Sequence, residues 1–443
     1  MKLITSPASS VEGILEKEIP GDKSISHRAA LFAALASGTS RIERFQVSGV
    51  TRPMLSALTA LGVEWHLDDE TLTVKGKGIS ALKDPAAPLD CGNSATTMRL
   101  LAGAIAGANL TAVLDGSDGL RKRPMDRIVN PLRAMGIRIT PSAKGTAPLQ
   151  IYASDDPSER QVLRYDLPVA SAQVKSCLLL AALGTKGTST ISEPGPSRDH
   201  TERMLSSMGV GIFSRSTEER IVVEITPPDP LVLQPLHMRL PSDPSAAAFL
   251  VVAALITKQS CLIIKGVCLN PTRTGLFEAL HSMGADIKIE NQHFAAGEPV
   301  GDLVVRSSVL RGTTINGNLV VRMIDEFPIL AVAAALAQGV TTVRDAAELR
   351  LKESDRIAML AMELRQLGVS IEEYPDGFSI HGGTLRGGKV QSHGDHRLAM
   401  SLTVAGLAAD SPVTVDQAEC TNESFPGFAE TLLNLGTTLV KEV

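Results

Sequence analysis

The chain has 443 residues, of which 44% are hydrophobic and 21% charged, and its formal net charge is −5. This composition predicts a soluble globular protein of two or three domains, and the negative charge argues against a protein that binds nucleic acid through a general basic surface. Aromatic residues make up only 3%, so the cores must consist mainly of aliphatic side chains.

The cysteines and the first residues of the chain bear on its cellular compartment. Five cysteines without a CxxC pair predict neither a disulfide framework nor a zinc site. The opening residues MKLITSPASSVEG lack the apolar core of a signal peptide, and no apolar run has the length of a membrane span. We therefore expect a cytoplasmic protein in a reducing compartment.

Two sequence patterns alternate along the chain, each six times. The first is an amphipathic helix that ends in Leu or Met and is followed by Gly and an apolar run, as in ALTALGVEW and PLRAMGIRI. Each glycine is expected to adopt the left-handed conformation that ends a helix before a strand. These glycines, spaced by 68 to 84 residues, are Gly62, Gly136, Gly209, Gly284, Gly368 and Gly436.

The second pattern is a helix of small apolar residues with a polar start, as in SISHRAALFAALASGTSRI and DHRLAMSLTVAGLAADSPVTV. These helices are apolar nearly all round, so we expect them to be buried and the amphipathic helices to lie outside. The alternation of helices and strands predicts an α/β fold. Six units favour two lobes of three, with a boundary in the Pro-rich segment 226–244.

The polar starts of the buried helices predict anion sites that line a cleft between the lobes. Each helix N-terminus offers unpaired N–H groups and a partial positive charge. In GDKSISHR, Ser24 is the expected N-cap, with Lys23 just outside the helix and Arg28 one turn further on. The alternative is a capped surface helix with solvated ends, which the apolar body of this helix disfavours.

Two further segments in the first half of the chain place polar residues at turns. In GNSATTMR, Asn93 precedes small residues that let backbone approach a ligand, although close packing explains them equally well. In DGSDGLRKRPMDRI, Pro124 is predicted to begin a helix, and Arg123 is the better ligand candidate. Arg121 and Lys122 are expected on a solvated face.

The third buried helix starts with SAQVK, in which Ser171 is a hydroxyl cap next to the amide donors of Ala172 and Gln173. Lys175 lies one turn further on. The segment SRDHTER places Arg198 before another helix.

Acidic residues join the cations in the second half of the chain. A carboxylate held among cations stays ionised and can accept a proton, although Asp325 and Glu353 are as readily explained as caps or salt-bridge partners. Arginines at helix starts favour a substrate with phosphate and carboxylate groups. Lys352 and Arg356 are predicted to lie one helical turn apart. The segments MIDEFP, ELRLKESDRIAML and GDHRLAMS contribute Asp325, Glu326, Lys352, Glu353, Arg356, His396 and Arg397.

Together, these motifs resemble the enolpyruvyl transferase family, most closely its EPSP synthase branch of class II, over nearly the whole chain. The resemblance implies two lobes, each an inside-out α/β barrel of three βαβαββ repeats, that close on substrate. It assigns residues 21–240 to the first lobe and residues 1–20 with 241–443 to the second. The motifs that carry it are, in chain order, GDKSISHR, GNSATT, RPMDRI, SAQVKS, SRDHTE, NPTRTG, IDEFP, LRLKESDRI and GDHR.

The resemblance implies a monomer that joins phosphoenolpyruvate to the 5-hydroxyl of shikimate 3-phosphate and releases phosphate. Neither a metal nor an organic cofactor is expected, and neither nucleic acid nor a membrane is expected as a partner. For the shikimate 3-phosphate site it implies Lys23, Ser24, Arg28, Ser171, Ala172, Gln173, Arg198, Asp325 and Lys352. For the phosphoenolpyruvate site it implies Lys23, Asn93, Ala95, Arg123, Gln173, Arg356 and Arg397.

The implied reaction needs a base next to the acceptor hydroxyl, for which we select Asp325, and an acid next to the methylene carbon, for which we select Glu353 or Lys23. The chain departs from the class I pattern at two positions. Ala95 replaces a glycine, which predicts reduced sensitivity to glyphosate, a bulkier mimic of phosphoenolpyruvate. Glu423 replaces a lysine and is not expected to bind phosphate.

Four alternatives are less favoured. The sister enzyme that uses UDP-N-acetylglucosamine as acceptor typically has a cysteine in a mobile loop, and DGSDGLRKRPMD has none. A nucleic-acid-processing or RNA-binding protein would need more basic and aromatic surface. A metal enzyme built on His27, His200 and His396 would have no standard ligand spacing. An inactive binding scaffold would not need acid, base and anion-binding groups together.

Overall fold

The computed structural model describes residues 1–442, and Val443, the last residue of the predicted second lobe, lies outside them. Two compact units are present. The N-unit comprises Gly21–Leu240 together with the short turn Ala295–Glu298. The C-unit comprises Met1–Pro20, Pro241–Phe294 and the residues from Pro299 onward. Among residues 1–442, no helix has the length and apolar character needed to cross a membrane.

The first twenty residues supply two strands to the sheets of the C-unit. These strands are β1 (Lys2–Thr5) and β2 (Glu12–Leu15). The N-unit follows, with three four-stranded sheets and six helices. Its helices are α1 (Lys23–Leu35), α2 (Arg52–Ala60), α3 (Ala95–Ala108), α4 (Asp126–Ala134), α5 (Ala172–Ala182) and α6 (His200–Ser207). Its strands are β3 (Ser37–Glu43), β4 (Glu64–Asp68), β5 (Thr71–Lys77), β6 (Leu89–Asp90), β7 (Ala112–Asp115), β8 (Arg138–Thr140), β9 (Leu149–Tyr152), β10 (Arg164–Asp166), β11 (Ser189–Glu193), β12 (Gly211–Ser216), β13 (Ile221–Thr226) and β14 (His237–Arg239).

The C-unit also has three four-stranded sheets. Its helices are α7 (Pro244–Ile256), α8 (Gly275–Ser282), α9 (Asn318–Arg322), α10 (Phe327–Ala335), α11 (Arg356–Gln366), α12 (His396–Ala405) and α13 (Phe428–Asn434). Its remaining strands are β15 (Cys261–Cys268), β16 (Asp286–Ala295), β17 (Glu298–Arg306), β18 (Thr314–Ile315), β19 (Val340–Val343), β20 (Ser370–Tyr374), β21 (Gly377–His381), β22 (Gly388–Gln391), β23 (Val413–Asp416) and β24 (Leu439–Glu442).

The six sheets share one topology. The strand orders are β14-β3-β5-β4, β6-β7-β9-β8 and β10-β11-β13-β12 in the N-unit, and β22-β23-β1-β24, β2-β15-β17-β16 and β18-β19-β21-β20 in the C-unit. In each sheet the first two strands of these orders are parallel. The run β6-α3-β7-α4-β8-β9 is therefore a βαβαββ repeat, and the predicted α/β fold with six such repeats is confirmed.

One helix of each repeat is buried, as its nearly uniform apolar sequence predicts. These helices are α1, α3 and α5 in the N-unit and α7, α10 and α12 in the C-unit. Small residues let them approach closely. A Cβ added at Gly103 of α3 would lie 2.2 Å from the carbonyl oxygen of Cys177 of α5, so only glycine fits this contact.

The six glycines predicted to end the outer helices all have left-handed backbone conformations. Their φ angles lie between +80° and +94°. Glycine adopts this conformation without the Cβ penalty of other residues, so each outer helix stops there and the chain turns into a strand. This prediction is confirmed for Gly62, Gly136, Gly209, Gly284, Gly368 and Gly436.

Three predictions about the polar helix starts are wrong in detail. The N-cap of α1 is Asp22, whose Oδ1 accepts from Ile25 N at 2.8 Å, so Ser24 and Lys23 both lie inside the helix. Aspartate caps as well as serine, and capping from Asp22 leaves the Ser24 hydroxyl available to another partner. The helix predicted to begin at Pro124 begins two residues later, as α4.

The third wrong prediction places Lys352 and Arg356 one turn apart on a helix. Asp355 caps α11 by accepting from Ala358 N at 3.0 Å, so Arg356 is the first helical residue. Lys352 has an extended backbone at the end of the 3-10 turn Ala347–Leu351. The two side chains therefore converge from different segments.

Candidate active site

The N-unit holds a buried arginine in the first turns of α1. Arg28 is 2% exposed. Its Nε donates to Thr201 Oγ1 at 2.8 Å, its Nη2 donates to Ser176 Oγ at 2.9 Å and its Nη1 donates to Ser24 O at 2.9 Å. A guanidinium that donates from three nitrogens keeps one orientation, so its charge has a fixed position.

Ser24 and Arg198 extend this cluster. Arg198 Nη1 donates to Ser24 Oγ at 3.0 Å, although 174 residues separate them along the chain. Lys23, the first residue of α1, is partly exposed beside them. The cations and the N–H groups of the first helical turn favour an anion at this place.

His27 is buried in the same turn of α1 and lies 3.4 Å from Thr97 Oγ1 through its Nδ1. Burial, together with the positive charges of Lys23 and Arg28, lowers the pKa of His27 to about 3. The ring is therefore neutral in the folded protein at neutral pH.

This depressed pKa makes a prediction about acid stability. Between pH 6.5 and 3, His27 binds a proton in the unfolded chain but not in the folded chain. The free energy of unfolding therefore falls as the pH drops toward 3. We expect His27→Gln to remove about 1.4 kcal/mol per pH unit from this slope. Denaturant titrations between pH 4 and 8 measure it. His66→Gln, at an exposed position on β4, is the control and should keep the wild-type slope.

The start of α5 carries the next group of predicted residues. Ser171 is the N-cap, as predicted, and accepts from Val174 N at 3.5 Å, while Ala172 is the first helical residue and is partly exposed. Gln173 Oε1 accepts from Arg99 Nη1 at 2.5 Å, and Gln173 Nε2 donates to Thr96 Oγ1 at 2.9 Å. The Gln173 amide is thus held by two residues of α3.

The start of α3 lies close to these contacts. Ser94 is the N-cap and accepts from Thr97 N at 3.1 Å, and Ala95 is the first helical residue and is 3% exposed. Asn93 lies in the preceding turn, as predicted, and its Oδ1 accepts from Ser117 Oγ at 3.0 Å. The turn and the helix start are therefore fixed by local hydrogen bonds.

The basic segment after β7 divides as the sequence predicts. Arg121 is half exposed and pairs with Asp115 at 2.6 Å, and Lys122 is exposed. Arg121 and Asp115 line a cavity of about 410 Å³. Arg123 is less exposed than Arg121 and Lys122, and its backbone N donates to Leu120 O at 3.0 Å.

The C-unit holds a carboxylate among three cations. Asp325 Oδ1 lies 3.5 Å from Arg356 Nη1 and 3.7 Å from Lys352 Nζ, and Asp325 Oδ2 lies 3.5 Å from Arg397 Nη2. The Asp325 side chain is 17% exposed and those of Arg356 and Arg397 are 1% and 4% exposed. Nearby cations favour the charged form of a carboxylate, which accepts hydrogen bonds.

Arg356 is oriented by two carboxylates besides Asp325. Its Nε donates to Asp395 Oδ2 at 2.8 Å and its Nη2 donates to Glu353 Oε2 at 2.7 Å. Burial alone would lower the pKa of Arg356, but the charges of Asp395, Glu353 and Asp325 outweigh burial and raise it. Within residues 1–442 its buried Nη1 makes no hydrogen bond, so this nitrogen can donate to a bound anion.

Arg397 is held by a residue to which the sequence assigned no role. Glu326 is 3% exposed, its Oε1 accepts from Ser245 Oγ and the same oxygen lies 3.8 Å from Arg397 Nη1. Arg273 completes the network by donating through Nη2 to Asp243 Oδ1 at 3.0 Å and to Ser245 Oγ at 2.9 Å. A single buried network therefore links the NPTR and IDEFP segments.

His200 and His396, two of the three histidines considered as metal ligands, lie next to carboxylates in the structure. Along the described chain, one group could hold a metal, formed by Asp199, His200 and Glu298. Arg203 already supplies a cation there, because its Nε donates to Asp199 Oδ2 at 2.9 Å and lies 3.8 Å from Glu298 Oε2. His396 lies 3.5 Å from Glu423.

Each unit therefore offers its own set of chemical groups. The N-unit has the cations Lys23, Arg28 and Arg198 near the start of α1, where an anion could bind. The C-unit has a carboxylate that can move a proton, flanked by cations that can bind a second anion. These are the groups needed for acid–base transfer between two anionic substrates.

Comparison with known proteins identifies the family. The family described as "EPSP synthase (3-phosphoshikimate 1-carboxyvinyltransferase)" matches residues 5–432. The chain belongs to the EPSP synthase family. A 3-phosphoshikimate 1-carboxyvinyltransferase from Citrifermentans bemidjiense is 47% identical over 430 residues, which cover 96% of this chain and 97% of that protein. One from Roseiflexus sp. (strain RS-1) is 48% identical over 427 residues and covers 96% of each chain.

Solved structures agree with this membership. The EPSP synthase from Acinetobacter baumannii matches with a TM-score of 0.87 and 39% identity, over 99% of each chain. The enolpyruvyl transferase NikO from Streptomyces tendae, at 21% identity and a TM-score of 0.75 over 99% and 98% of the two chains, shares the fold. The resemblance read from the sequence motifs is confirmed for the EPSP synthase family, and the class II assignment stays a prediction.

Sequence reasoning missed several residues that hold the predicted ones. Arg99 ends the motif GNSATTMR, Asp395 lies within GDHR and Arg273 lies within NPTRTG, so each was visible in a motif without a role. Ser176 ends the motif SAQVKS and Thr201 lies within SRDHTE, but their roles depend on Arg28, which is 148 and 173 residues away.

Proposed function

We infer that this chain transfers the 1-carboxyvinyl group of phosphoenolpyruvate to the 5-hydroxyl of 3-phosphoshikimate, giving 5-enolpyruvylshikimate 3-phosphate and phosphate. The observation that carries this inference is Asp325, a carboxylate within 3.7 Å of three cations. Family membership over residues 5–432 supplies the substrate class. The chain is thus an enzyme of the shikimate pathway.

The residues of the N-unit are proposed to bind mainly the acceptor. Lys23, Arg28 and Arg198 supply positive charge at the α1 start, and Ser24 supplies a hydroxyl. Ser171 and the backbone of Ala172 supply donors at the α5 start, and Gln173 contacts both substrates. Together they match a phosphate monoester and a hydroxylated ring.

Arg356 and Arg397 of the C-unit are proposed to bind the donor, and the resemblance also implies several groups of the N-unit. The arginines are buried and oriented, so they can bind the carboxylate and phosphate of the donor without reorganisation. Lys352, whose Nζ lies 3.7 Å from Asp325 Oδ1, is proposed to contact the acceptor. The N-unit groups are Lys23, Asn93, Ala95, Arg123 and Gln173.

The transfer follows from these positions. Asp325 takes the proton from the acceptor hydroxyl, whose oxygen bonds to the central carbon of the donor. Glu353 or Lys23 delivers a proton to the methylene carbon, which gives a tetrahedral intermediate. Loss of a proton from the methyl group and departure of phosphate, stabilised by the cations, restore the double bond. Closure of the lobes around the substrates stays a prediction.

Phosphate release tests the proposed function. Purified protein is incubated with phosphoenolpyruvate and EDTA, with 3-phosphoshikimate and UDP-N-acetylglucosamine as separate acceptors. We expect release with 3-phosphoshikimate alone. Release with the sugar nucleotide alone would instead support the sister reaction, which the relatives' names do not favour. Absence of release with both would overturn the proposal.

We also propose that the protein acts as a monomer in the cytoplasm, as the resemblance implies. Its net charge of −5 agrees with small anionic substrates held at local clusters and with the absence of nucleic-acid or membrane partners. Sedimentation equilibrium with and without both substrates measures the mass, and a dimer in either state would contradict this proposal.

Ala95 supports a prediction about inhibition. Ala95 is the first residue of α3 and follows the turn that carries Asn93. Its methyl group is therefore expected to reduce the space between the backbone and the bound donor, compared with glycine. We expect Ala95→Gly to lower the glyphosate concentration for half-inhibition by about tenfold or more, because one methyl in a tight pocket costs about 1–3 kcal/mol. KM for phosphoenolpyruvate is the control. Equal inhibition of both proteins would contradict the prediction.

A further inference from the structure

A buried cation of the N-unit has no place in the proposed reaction. Lys175, one turn into α5, is 1% exposed, and its Nζ lies 2.7 Å from Glu193 Oε1 and 2.7 Å from Glu202 Oε1. Both glutamates are also buried, at 1% and 5% exposure. We refer to these three residues as the Lys175 network.

A buried ion network of this kind needs an explanation other than stability. Desolvation of the charges largely offsets their attraction, and apolar side chains of similar volume often stabilise a core equally well. Burial alone would lower the pKa of Lys175, but the charges of Glu202 and Glu193 outweigh burial and raise it, so the lysine keeps its proton. What such a network does supply is a fixed geometry.

The geometry that it fixes is that of the segment 193–202. Glu193 ends β11, and Glu202 lies in the first turn of α6. Between them, Ser197 donates to Glu193 through both its backbone N at 3.2 Å and its Oγ at 2.6 Å, and Ser197 O accepts from Lys175 Nζ at 3.4 Å. Lys175 therefore holds the beginning, the middle and the end of this segment.

Arg198 directly follows Ser197, the residue of this segment with three of the contacts just described. Its Nη1 donates to Ser24 Oγ at 3.0 Å, and its side chain is partly exposed. The backbone at Ser197 sets the position from which the Arg198 side chain extends. On the other side of Lys175, the neighbouring Ser176 contacts Thr201 of α6 at 2.6 Å, and both hydroxyls accept from Arg28.

We propose that Lys175, Glu193 and Glu202 are positioning residues for acceptor recognition, which hold the Ser197–Arg198 turn so that Arg198 meets the acceptor phosphate at the start of α1. This inference rests on the proposed function. It predicts that loss of the network weakens the binding of 3-phosphoshikimate and leaves the donor and the chemical step nearly unchanged.

The test uses a variant without charge in the network, Lys175→Met/Glu193→Gln/Glu202→Gln. Neutralising all three positions avoids an unpaired buried charge, so the variant should fold. We expect Kd and KM for 3-phosphoshikimate to rise about tenfold. A charged donor such as Arg198 that points in the wrong direction loses most of the binding free energy of its hydrogen bond to the phosphate. The KM for phosphoenolpyruvate and kcat at saturating acceptor should stay within about twofold of wild type.

Two further variants separate positioning from loss of stability. Leu180→Val alters the same helix about 140° away from Lys175, so it should lower the unfolding temperature without changing either KM. Ser197→Ala removes one hydroxyl bond to Glu193, and we expect KM for 3-phosphoshikimate to rise about threefold. This single change provides the test if the triple variant does not fold.

Calorimetry with 3-phosphoshikimate alone separates this inference from the proposed function. A higher Kd for 3-phosphoshikimate in the variants supports the positioning role of the Lys175 network, even if the transfer reaction itself is not observed. An unchanged Kd in folded variants would overturn it, and so would a loss shared equally by both substrates and reproduced by Leu180→Val. Failure of the wild-type protein to bind 3-phosphoshikimate would overturn both proposals.

Discussion

Asp325→Asn should lower kcat by at least about a hundredfold, the usual minimum for loss of a general base, while the protein stays folded. Asparagine has the same shape and can still accept a hydrogen bond, but it cannot take a proton from the acceptor hydroxyl. Because the Asp325 side chain is 17% exposed and lies 3.5 to 3.7 Å from its cations, water can replace the lost charge contacts. Steady-state phosphate release measures the effect.

Asp302→Asn is the matched control for this experiment. Asp302 also accepts hydrogen bonds in the C-unit, from Gly266 N at 2.9 Å and from Asn291, but it is not among the proposed site residues. We expect its kcat to equal that of wild type. If Asp325→Asn keeps kcat within about twofold and changes only the KM values, Asp325 is a salt-bridge partner and another group is the base.

The regular elements could be predicted because their causes lie close together in the sequence. A helix that is apolar all round must be buried, and a glycine that follows an amphipathic helix can take the left-handed conformation, as at Gly62. Both rules use residues within a few positions of each other. The alternation of the two helix types then allowed the six repeats to be predicted.

Errors arose where two local rules competed. Asp22 and Ser24 are both good caps, and the choice of Asp22 frees the Ser24 hydroxyl for Arg198, which is 174 residues away. Similarly, Lys352 and Arg356 have the spacing of one helical turn, but the cap at Asp355 starts the helix after Lys352. In both cases the deciding contact is a capping bond between residues three apart, and the sequence pattern offered more than one residue for that role.

The residues that hold the site are the part least visible in the sequence. Arg99 reaches Gln173 across 74 residues, and Lys175 reaches Glu193 across 18. Each motif predicts which chemical groups are present at a helix start. Only the fold shows which of them are oriented by buried partners and therefore have a fixed direction.

Arg356→Met should destabilise the C-unit by about 3–5 kcal/mol, because it leaves a buried carboxylate without its cation. Asp395 is fully buried and accepts from Arg356 Nε at 2.8 Å, and Glu353 accepts from Nη2 at 2.7 Å. The charge of Arg356 holds the pKa of Asp395 below its ordinary value despite burial. Urea denaturation followed by circular dichroism measures the loss.

The double variant Arg356→Met/Asp395→Asn distinguishes the cause of this loss. If the unpaired carboxylate is responsible, removing its charge should restore more than about 1 kcal/mol of the lost stability. Lys2→Met is the control, since the Lys2–Asp416 pair at 3.7 Å is 49% and 34% exposed and should contribute less than about 1 kcal/mol. A cost for Arg356→Met no larger than that of the control would contradict the prediction.

Donor binding should respond differently from stability in the same pair of variants. The Arg356 guanidinium, with its Nη1 lacking a hydrogen bond within the described residues, is the proposed donor ligand, so both variants should raise KM for phosphoenolpyruvate by about 10–100-fold. Restoring neutrality at Asp395 cannot restore that bond. A double variant that regains stability but not donor affinity would therefore separate the two roles of Arg356, as the counter-charge of a buried carboxylate and as a ligand for a second anion.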